Sequence, residues 1–236
     1  MKIELNPLLG KVKGKFGDFV FKQVNGKSYV ARRPLPRSKS SFSDAERSKQ
    51  KRFAMNTKLS SAINKIDVLR PLWHQAANGK MSSHNAISKA NYPLVGYNEL
   101  LIAPQLTPNS IGYDISTLTF NYNKGIISIT FPPVTFGLVQ DFNIDNRIMF
   151  AGVIYLRNPI EDGKEDFRFL SVKSDAVQVS EDNVIFLSLD LNDATQQFVE
   201  SYSKATFFFC LISLDKNGYV VNTVSTFTES LFSNDN

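Results

Sequence analysis

The side chains that most often carry catalysis are few and scattered in this sequence. The one cysteine, Cys210, lies in the apolar run 205–212, a setting typical of a buried small hydrophobe rather than a reactive thiol. The two histidines, His74 and His84, are ten residues apart and have no metal-ligand spacing around them, so packing or helix capping is the expected role of both. We therefore expect no enzymatic activity, no cofactor and no metal site.

Two further groups resemble ligand-binding motifs only in part. Gly10, Gly14 and Gly17 alternate with lysines, but a phosphate-binding loop needs Gly-x-x-x-x-Gly-Lys-Ser/Thr between a strand and a helix, and this segment leads into a predicted hairpin. The acidic residues of 161–166 lack the spacing of an EF-hand and are expected at a solvated hairpin tip. Neither group predicts a nucleotide or calcium site.

The strongest functional signal is the distribution of charge. Residues 1–60 carry 15 Lys and Arg against 4 Asp and Glu, a net charge of +11, whereas residues 61–236 carry 12 against 18, a net charge of −6. Such an asymmetry indicates an anionic partner or a neighbouring subunit with an acidic face. The basic N-terminal arm is therefore the first candidate for a binding element.

Basic and aromatic residues are interleaved in the arm, which leaves two interpretations open. In the favoured one the aromatic side chains face a core or a partner chain, the cations face water, and the arm docks on protein. In the other, the cations contact phosphates and the aromatic rings stack on the bases of a nucleic acid. The residues assigned to the docking arm are Lys11, Lys13, Lys15, Phe19, Phe21, Tyr29, Arg32, Arg33 and Arg37. The further phosphate contacts of the second interpretation are Lys39, Arg47, Lys51 and Arg52.

The arm is predicted to contain a β-hairpin and an extended strap. Two β-prone segments flank Asn25-Gly26 within 16–33, and Asn-Gly is the strongest short hairpin signal because both residues accept positive φ. The segment 34–41 has two prolines and no apolar periodicity, which favours an extended connector.

Helices are predicted after the arm. Ser43 and Glu46 form a capping box, and apolar residues recur at three- and four-residue steps from Met55 onward, with an interruption expected at Pro71. A second, shorter helix is predicted over 83–89.

From about residue 112 the apolar period changes to two, which predicts strands. The segments 117–122 and 126–131 flank Asn123-Lys124-Gly125 and predict a hairpin. The further predicted strands are 147–156, 167–172, 184–191, 205–214 and 219–227. The polar segment 192–203 is either a helical turn or a long connection.

Short strands with turns between them, and no helices of crossover length, predict an antiparallel β-sandwich. The expected fold class is therefore mainly β and α+β overall, with an N-terminal hairpin and helices before the sandwich. Three parts are predicted: a basic arm over 1–42, a helical segment and linker over 43–110, and a sandwich domain over 111–236. The first ten residues lack the apolar region of a secretory signal, and no apolar stretch approaches the roughly 18 residues of a membrane-spanning helix.

Several short segments agree in type and order with a known family. In the N-terminal half they are 9–17, 26–34 and the helix around 43–53, and in the C-terminal half 188–191, 207–211 and 215–225. With them the chain resembles an uncharacterised protein family that is frequent in Bacteroidota genomes and their mobile elements. The resemblance implies an N-terminal Gly/Lys-rich hairpin, a helix and an immunoglobulin-like β-sandwich, and it supplies no active site.

These features together favour a structural protein of a bacteriophage virion, of the head-tail connector, ring or tail type. Its expected partners are further copies of the chain and other structural proteins, with no membrane and no small-molecule substrate. It would assemble in the host cytoplasm, with a bacterial cytoplasm as the alternative location. The alternative functions are nucleic-acid binding through the arm and helix, and a surface adhesion or carbohydrate-binding module.

Overall fold

The computed structural model describes residues 2–4, 14–24, 27–35, 38, 42–97, 99–108, 118–131, 147–179, 183–223 and 226–233. In chain order its elements are β1 (Lys2–Glu4), β2 (Gly14–Phe16), β3 (Phe19–Val24), β4 (Lys27–Arg32), α1 (Asp44–Lys65), α2 (Arg70–Ala77), α3 (Ser83–Asn91), β5 (Thr119–Asn123), β6 (Ile126–Phe131), β7 (Arg147–Pro159), β8 (Phe167–Lys173), β9 (Val177–Gln178), β10 (Ile185–Asp190), α4 (Asp193–Glu200), β11 (Tyr202–Leu214), β12 (Val220–Thr223) and β13 (Phe227–Ser233).

The chain divides into two compact units, Met1–Arg47 and Ser48–Asn236. The smaller unit holds β1 to β4 in one antiparallel sheet, together with the first turn of α1. The larger unit holds the remaining helices and strands. The division of the sequence into 1–42, 43–110 and 111–236 stays a prediction.

The larger unit is built on a six-stranded antiparallel sheet whose centre is the pair β7 and β11. Their register runs from Tyr202 opposite Pro159 to Leu214 opposite Arg147. Two shorter strands in succession flank each member of the pair, β13 and β12 along β11, and β8 and β9 along β7. The central pair is therefore hydrogen-bonded on both sides over most of its length.

A three-stranded sheet of order β10-β6-β5 packs on one face of this central sheet. Lys124 and Gly125, both at positive φ, form the turn between β5 and β6, so the hairpin predicted there is confirmed. Ile127 of the smaller sheet shares a buried cluster with Phe150 and Phe207 of the central sheet. The two sheets thus share one buried core, which is compatible with the predicted β-sandwich.

Helices α1 to α3 cover the opposite face of the central sheet. The apolar stripe of α1 places Met55, Leu59 and Ile63 against the sheet, and none of these three side chains has exposed surface. The Trp73 ring of α2 is buried in the same cluster and donates from Nε1 to the Leu106 carbonyl at 2.8 Å. The helices are therefore a third layer that shares its core with the sheet.

Two helix boundaries follow from local chemistry. Pro71 stands in the first turn of α2, where its missing N–H costs no helical hydrogen bond, so the predicted interruption is the start of a separate helix. Helix α3 begins after Ser82, whose hydroxyl accepts from the Asn85 amide at 3.2 Å, and this agrees with the shorter helix that was predicted.

Strand β11 has both of its faces in a core. Phe207 and Phe209 belong to the cluster under the three-stranded sheet, whereas Phe208 and Cys210 belong to the cluster under the helices. A strand that is buried on both faces reads as a continuous apolar run instead of an alternating one. This explains the composition of 205–212.

The expected fold class is confirmed, because the chain is mainly β, with antiparallel sheets and four described helices, and is α+β overall. Helix α4, capped by the Asn192 side chain, occupies the segment for which a helical turn was one expectation. The immunoglobulin-like topology stays a prediction. In the part of the chain that the structure describes, no helix combines the length and apolarity needed to cross a membrane.

Candidate docking surface

The N-terminal unit folds into a four-stranded antiparallel sheet of order β1-β4-β3-β2. Strands β3 and β4 pair from Phe19 opposite Arg32 onward, so the hairpin predicted around Asn25-Gly26 is confirmed, although these two turn residues lie outside the described ones. The short strands β1 and β2 extend the hairpin on either side. The arm therefore contains a sheet with two faces.

One face of this sheet is aromatic. Directly opposed residues of antiparallel strands point to the same face, and so do residues two apart in one strand. The register sets Phe16 opposite Phe19 and Phe21 opposite Val30. We call the surface formed by Phe16, Phe19, Phe21 and Val30 the aromatic face; Arg32 stands at its end, opposite Phe19.

The other face of the sheet is basic. Lys15 stands opposite Val20, and Lys22 stands opposite Tyr29. Lys27 follows the same face, two residues before Tyr29 in β4. We call the surface formed by Lys15, Lys22, Lys27 and Tyr29 the lysine face. The predicted separation of aromatic and charged side chains thus holds only in part: Tyr29 lies on the lysine face, and Arg32 lies at the end of the aromatic face.

The aromatic face is not covered by any part of its own unit that the structure describes. Among the residues up to Arg47 whose side chains the structure describes, none is buried, and Phe16 keeps 79% and Phe19 49% of its surface exposed. A small sheet becomes stable when one face is packed against another layer. Exposed aromatic residues that cluster within a charged surrounding are typical of an interaction surface. The aromatic face is therefore the candidate docking surface.

The other predicted docking residues fall into two groups. Arg32 and Arg33 are exposed, at the end of β4 and directly after it. Those outside the described residues are Lys11, Lys13 and Arg37, together with Lys39 of the nucleic-acid interpretation.

Helix α1 begins with the predicted capping box. The Ser43 hydroxyl accepts from the Glu46 amide at 3.3 Å, and Glu46 Oε2 accepts from the Ser43 amide at 2.9 Å. Arg47 donates from Nε to the Phe42 carbonyl at 3.1 Å and lies 3.9 Å from the Asp44 carboxylate. Its guanidinium is thus partly engaged by the start of its own helix.

Lys51 and Arg52, the remaining residues of the nucleic-acid interpretation, lie in the larger unit. The Arg52 guanidinium stands 4.4 Å from the centroid of the Tyr92 ring and donates from Nη2 to the Tyr92 carbonyl at 2.9 Å. Lys51 is exposed on the same helix. Because Arg52 binds its own chain, the cations of α1 do not all stand free for phosphates.

The residues considered for catalysis have structural surroundings. Burial raises the pKa of the Cys210 thiol to about 12, and its Sγ lies 3.4 Å from the Ala151 carbonyl, so the thiol is the buried packing group that was expected. His84 Nε2 lies 3.3 Å from Ser61 Oγ, between α3 and α1, and His74 is exposed on α2.

The acidic residues between β7 and β8 form ion pairs at an exposed hairpin tip. Glu161 pairs with Lys164 at 3.0 Å, and Glu165 pairs with Lys58 at 2.8 Å and Arg168 at 2.6 Å. The hydrogen bond from Lys58 lowers the pKa of Glu165 below its ordinary value. Over the described ranges, His, Cys, Asp and Glu side chains do not gather in groups of three or more that could hold a metal ion.

The sequence analysis missed strands β1 and β2, because each has three residues and shows no alternation to recognise. Phe16 was not among the predicted docking residues, although it is more exposed than Phe19. The signal that could have found it is Gly17, whose φ of 53° marks a tight turn between two paired aromatic residues. Comparison with known proteins found no family model, curated protein or solved structure that matches the chain.

Proposed function

We propose that this chain is a non-enzymatic assembly protein that docks on a second copy of itself through the aromatic face. The supporting observation is the exposure of Phe16 and Phe19 on a sheet in which none of the side chains that the structure describes is buried. Transfer of a phenylalanine side chain from water into an interface contributes roughly 1.5–3 kcal/mol. Burial of two such rings in an interface would therefore favour association.

The distribution of charge indicates which part of a second copy binds the aromatic face. Residues 1–47, the N-terminal unit, carry 11 Lys and Arg against 4 Asp and Glu, a net charge of +7, and residues 61–236 carry a net charge of −6. Two N-terminal arms packed face to face would bring like charges together, whereas an arm on the acidic part of a second copy brings opposite charges together. The receiving surface is therefore placed in residues 61–236 of the neighbouring copy.

This mode of docking suits a protein that assembles into rings or larger arrays. When the N-terminal arm of one copy binds the larger unit of the next copy, the contact is head-to-tail. Such contacts close into rings or continue as filaments. The setting in a virion, with assembly in the host cytoplasm, is the part of the proposal that comes from the sequence alone.

The experiment is the mass of the full-length protein in solution over a range of concentrations. Wild type should form oligomers, and the double change Phe16→Ser with Phe19→Ser should weaken self-association by about 100-fold or more. Both residues are exposed, so the larger unit should keep its thermal unfolding temperature. Lys22→Ser, on the lysine face of the same sheet, is the matched control and should leave the oligomer in place.

Two results would overturn the proposal. One is a wild type that remains monomeric up to concentrations of about 100 μM, a range in which even weak specific complexes form. The other is an oligomer that survives the double phenylalanine change, whatever the effect of Lys22→Ser.

Nucleic-acid binding remains a second candidate because Lys15, Lys22 and Lys27 share one face of the sheet with Tyr29. Phosphate contacts release counterions, so affinity for DNA would fall steeply as salt is raised, whereas docking that rests mainly on burial of the aromatic face should weaken much less. Lys22→Ser would lower DNA affinity and the salt slope, and absence of DNA binding at low salt would remove this candidate.

A further inference from the structure

A cleft of about 310 Å³ opens in the larger unit between α1 and the end of β7 where the chain turns toward β8. Its walls include Lys51 and Lys58 from the helix, Arg157 from β7, Phe167 from β8, and Tyr97. This volume is at the small end of the range of natural ligand pockets, which starts at about 300 Å³. The cleft is thus large enough for a single small molecule.

Arg157 is the most distinctive group in the cleft. Its Nε is buried and donates to no acceptor among the described residues. Its Nη1 lies 3.9 Å from the Glu99 carboxylate, beyond hydrogen-bond distance, and its guanidinium is held 5.0 Å from the centroid of the Tyr155 ring. A guanidinium that is held against a ring and makes only a long ion pair keeps N–H donors that can bind a carboxylate or phosphate.

The remaining charges limit the kind of anion. Lys58 is paired with Glu165 at 2.8 Å, whereas Lys51 is exposed, and Asp166 adds a carboxylate to the cleft wall. The cleft is therefore nearly balanced in charge, which disfavours a polyanion such as a nucleic acid. Recognition must come from the directed donors of Arg157, with Lys51 as a second cation.

Aromatic rings form the apolar part of the cleft. Tyr97 is 55% exposed, and the Phe167 ring is partly buried with the Lys58 ammonium 5.0 Å from its centroid. Flat apolar surfaces beside a donor fork favour a ligand that carries a ring next to its charged group.

We propose that this cleft binds a small molecule with one oxyanion, a carboxylate or a phosphate ester, attached to an aromatic or other flat apolar group. The oxyanion accepts from the Arg157 fork, and the ring packs against Tyr97 and Phe167. This proposal is independent of the docking role of the N-terminal sheet, and it adds a small-molecule ligand where the sequence-based expectation was that the protein has no small-molecule substrate.

The test is calorimetric titration of the full-length protein with four probes: phenyl phosphate, benzoate, inorganic phosphate and phenol. Saturable binding of phenyl phosphate or benzoate is expected, and whichever is tighter identifies the oxyanion. Inorganic phosphate, which lacks the ring, and phenol, which lacks the strong anion, should each bind at least about ten-fold more weakly. Equal affinity for phenol and phenyl phosphate would overturn the assignment of an oxyanion site.

Variants then locate the site. Arg157→Lys keeps the charge but removes the fork, and it should weaken the preferred probe by about ten-fold. Lys51→Gln should weaken it by about three-fold, since one exposed cation contributes less than a directed fork. Lys49→Gln removes a charge from the same helix outside the cleft and should change nothing. No saturable binding of any probe at millimolar concentration, or equal losses with Lys49→Gln and Lys51→Gln, would contradict the proposal.

Discussion

The N-terminal sheet and the central sheet of the larger unit are both antiparallel, and both contain phenylalanine. They differ in the exposure of the phenylalanine rings. In the central sheet Phe207 and Phe209 face the three-stranded sheet and Phe208 faces the helices, and each is buried. In the N-terminal sheet Phe16 and Phe19 remain exposed. The same residue type is therefore a core element in one sheet and a surface element in the other.

The difference lies in what the chain supplies to cover each sheet. The helical layer and the three-stranded sheet cover both faces of the central sheet. The N-terminal unit has no second layer among its described residues, and a lone sheet of this size is marginal in water. We therefore expect the larger unit to be stable by itself and the N-terminal sheet to depend on a partner.

The largest expected effect comes from truncation of one phenylalanine in each sheet. Phe209→Ala should lower the free energy of unfolding by about 3–5 kcal/mol, because the ring is fully buried and its loss leaves a cavity. Phe16→Ala should change it by less than about 0.5 kcal/mol in the dilute protein. Urea unfolding followed by circular dichroism measures both. Similar losses in the two variants would mean that the two sheets are equally covered.

A second pair of changes tests whether the helices belong to the covered core. Leu59→Ala should cost about 2–5 kcal/mol of unfolding free energy, since this α1 side chain has no exposed surface and packs toward the central sheet. Phe53→Ala, on the same helix, removes a ring that is 62% exposed and should cost little. A small effect of Leu59→Ala would show that the sheet does not need the helical layer.

A smaller effect is expected at the start of α1. Ser43→Ala removes the hydroxyl of the capping box and should lower the stability of the helix start by about 1 kcal/mol. Ser43→Asn keeps a capping oxygen and should restore most of the loss. Hydrogen exchange of the first-turn amides of α1 reports this change directly. Equal protection in all three proteins would show that the cap contributes nothing.

The smallest effect concerns the ion pair that joins the loop after α1 to β8. Lys173 Nζ donates to both carboxylate oxygens of Asp67, at 2.9 and 2.7 Å, and this hydrogen bond lowers the pKa of Asp67. A carboxyl with a lowered folded pKa stabilises the fold above its unfolded pKa, about 4, and this contribution is lost as pH falls through the folded pKa. Both side chains are about half exposed, so the effect should stay below about 1 kcal/mol.

The measurement is urea unfolding at pH 7 and at about pH 2 to 3, below the ordinary aspartate pKa. Wild type should lose more stability over this interval than Asp67→Asn, which has no carboxyl to protonate. Equal losses would show that the pair contributes nothing, and Lys216→Gln, in an exposed turn, is the charge control.

Much of the fold could be predicted because local chemistry determined it. The Asn-Gly and Asn-Lys-Gly turns, the Ser43 to Glu46 capping box and the period-two strands all rest on residues near one another in sequence. The apolar run 205–212 also held more information than was used, because an unbroken run in a strand indicates burial on both faces and hence a further layer. That layer is α1 to α3.

Other features could not be predicted because they depend on contacts between distant residues. The cleft combines Lys51 of α1 with Arg157 of β7, which lie more than 100 positions apart, and neither residue has a local motif. The aromatic and lysine faces follow from strand register, and the three-residue strand β2 that sets Phe16 opposite Phe19 gives too short a signal.

The most direct test of the central claim is hydrogen exchange of the backbone amides as a function of protein concentration. At low concentration the amides of β3 and β4 should exchange quickly while those of β7 and β11 remain protected, since among the described residues only the central sheet has covering layers within its own unit. At concentrations where the protein associates, β3 and β4 should gain protection. N-terminal strands with the same protection at every concentration, whether high or low, would contradict the account.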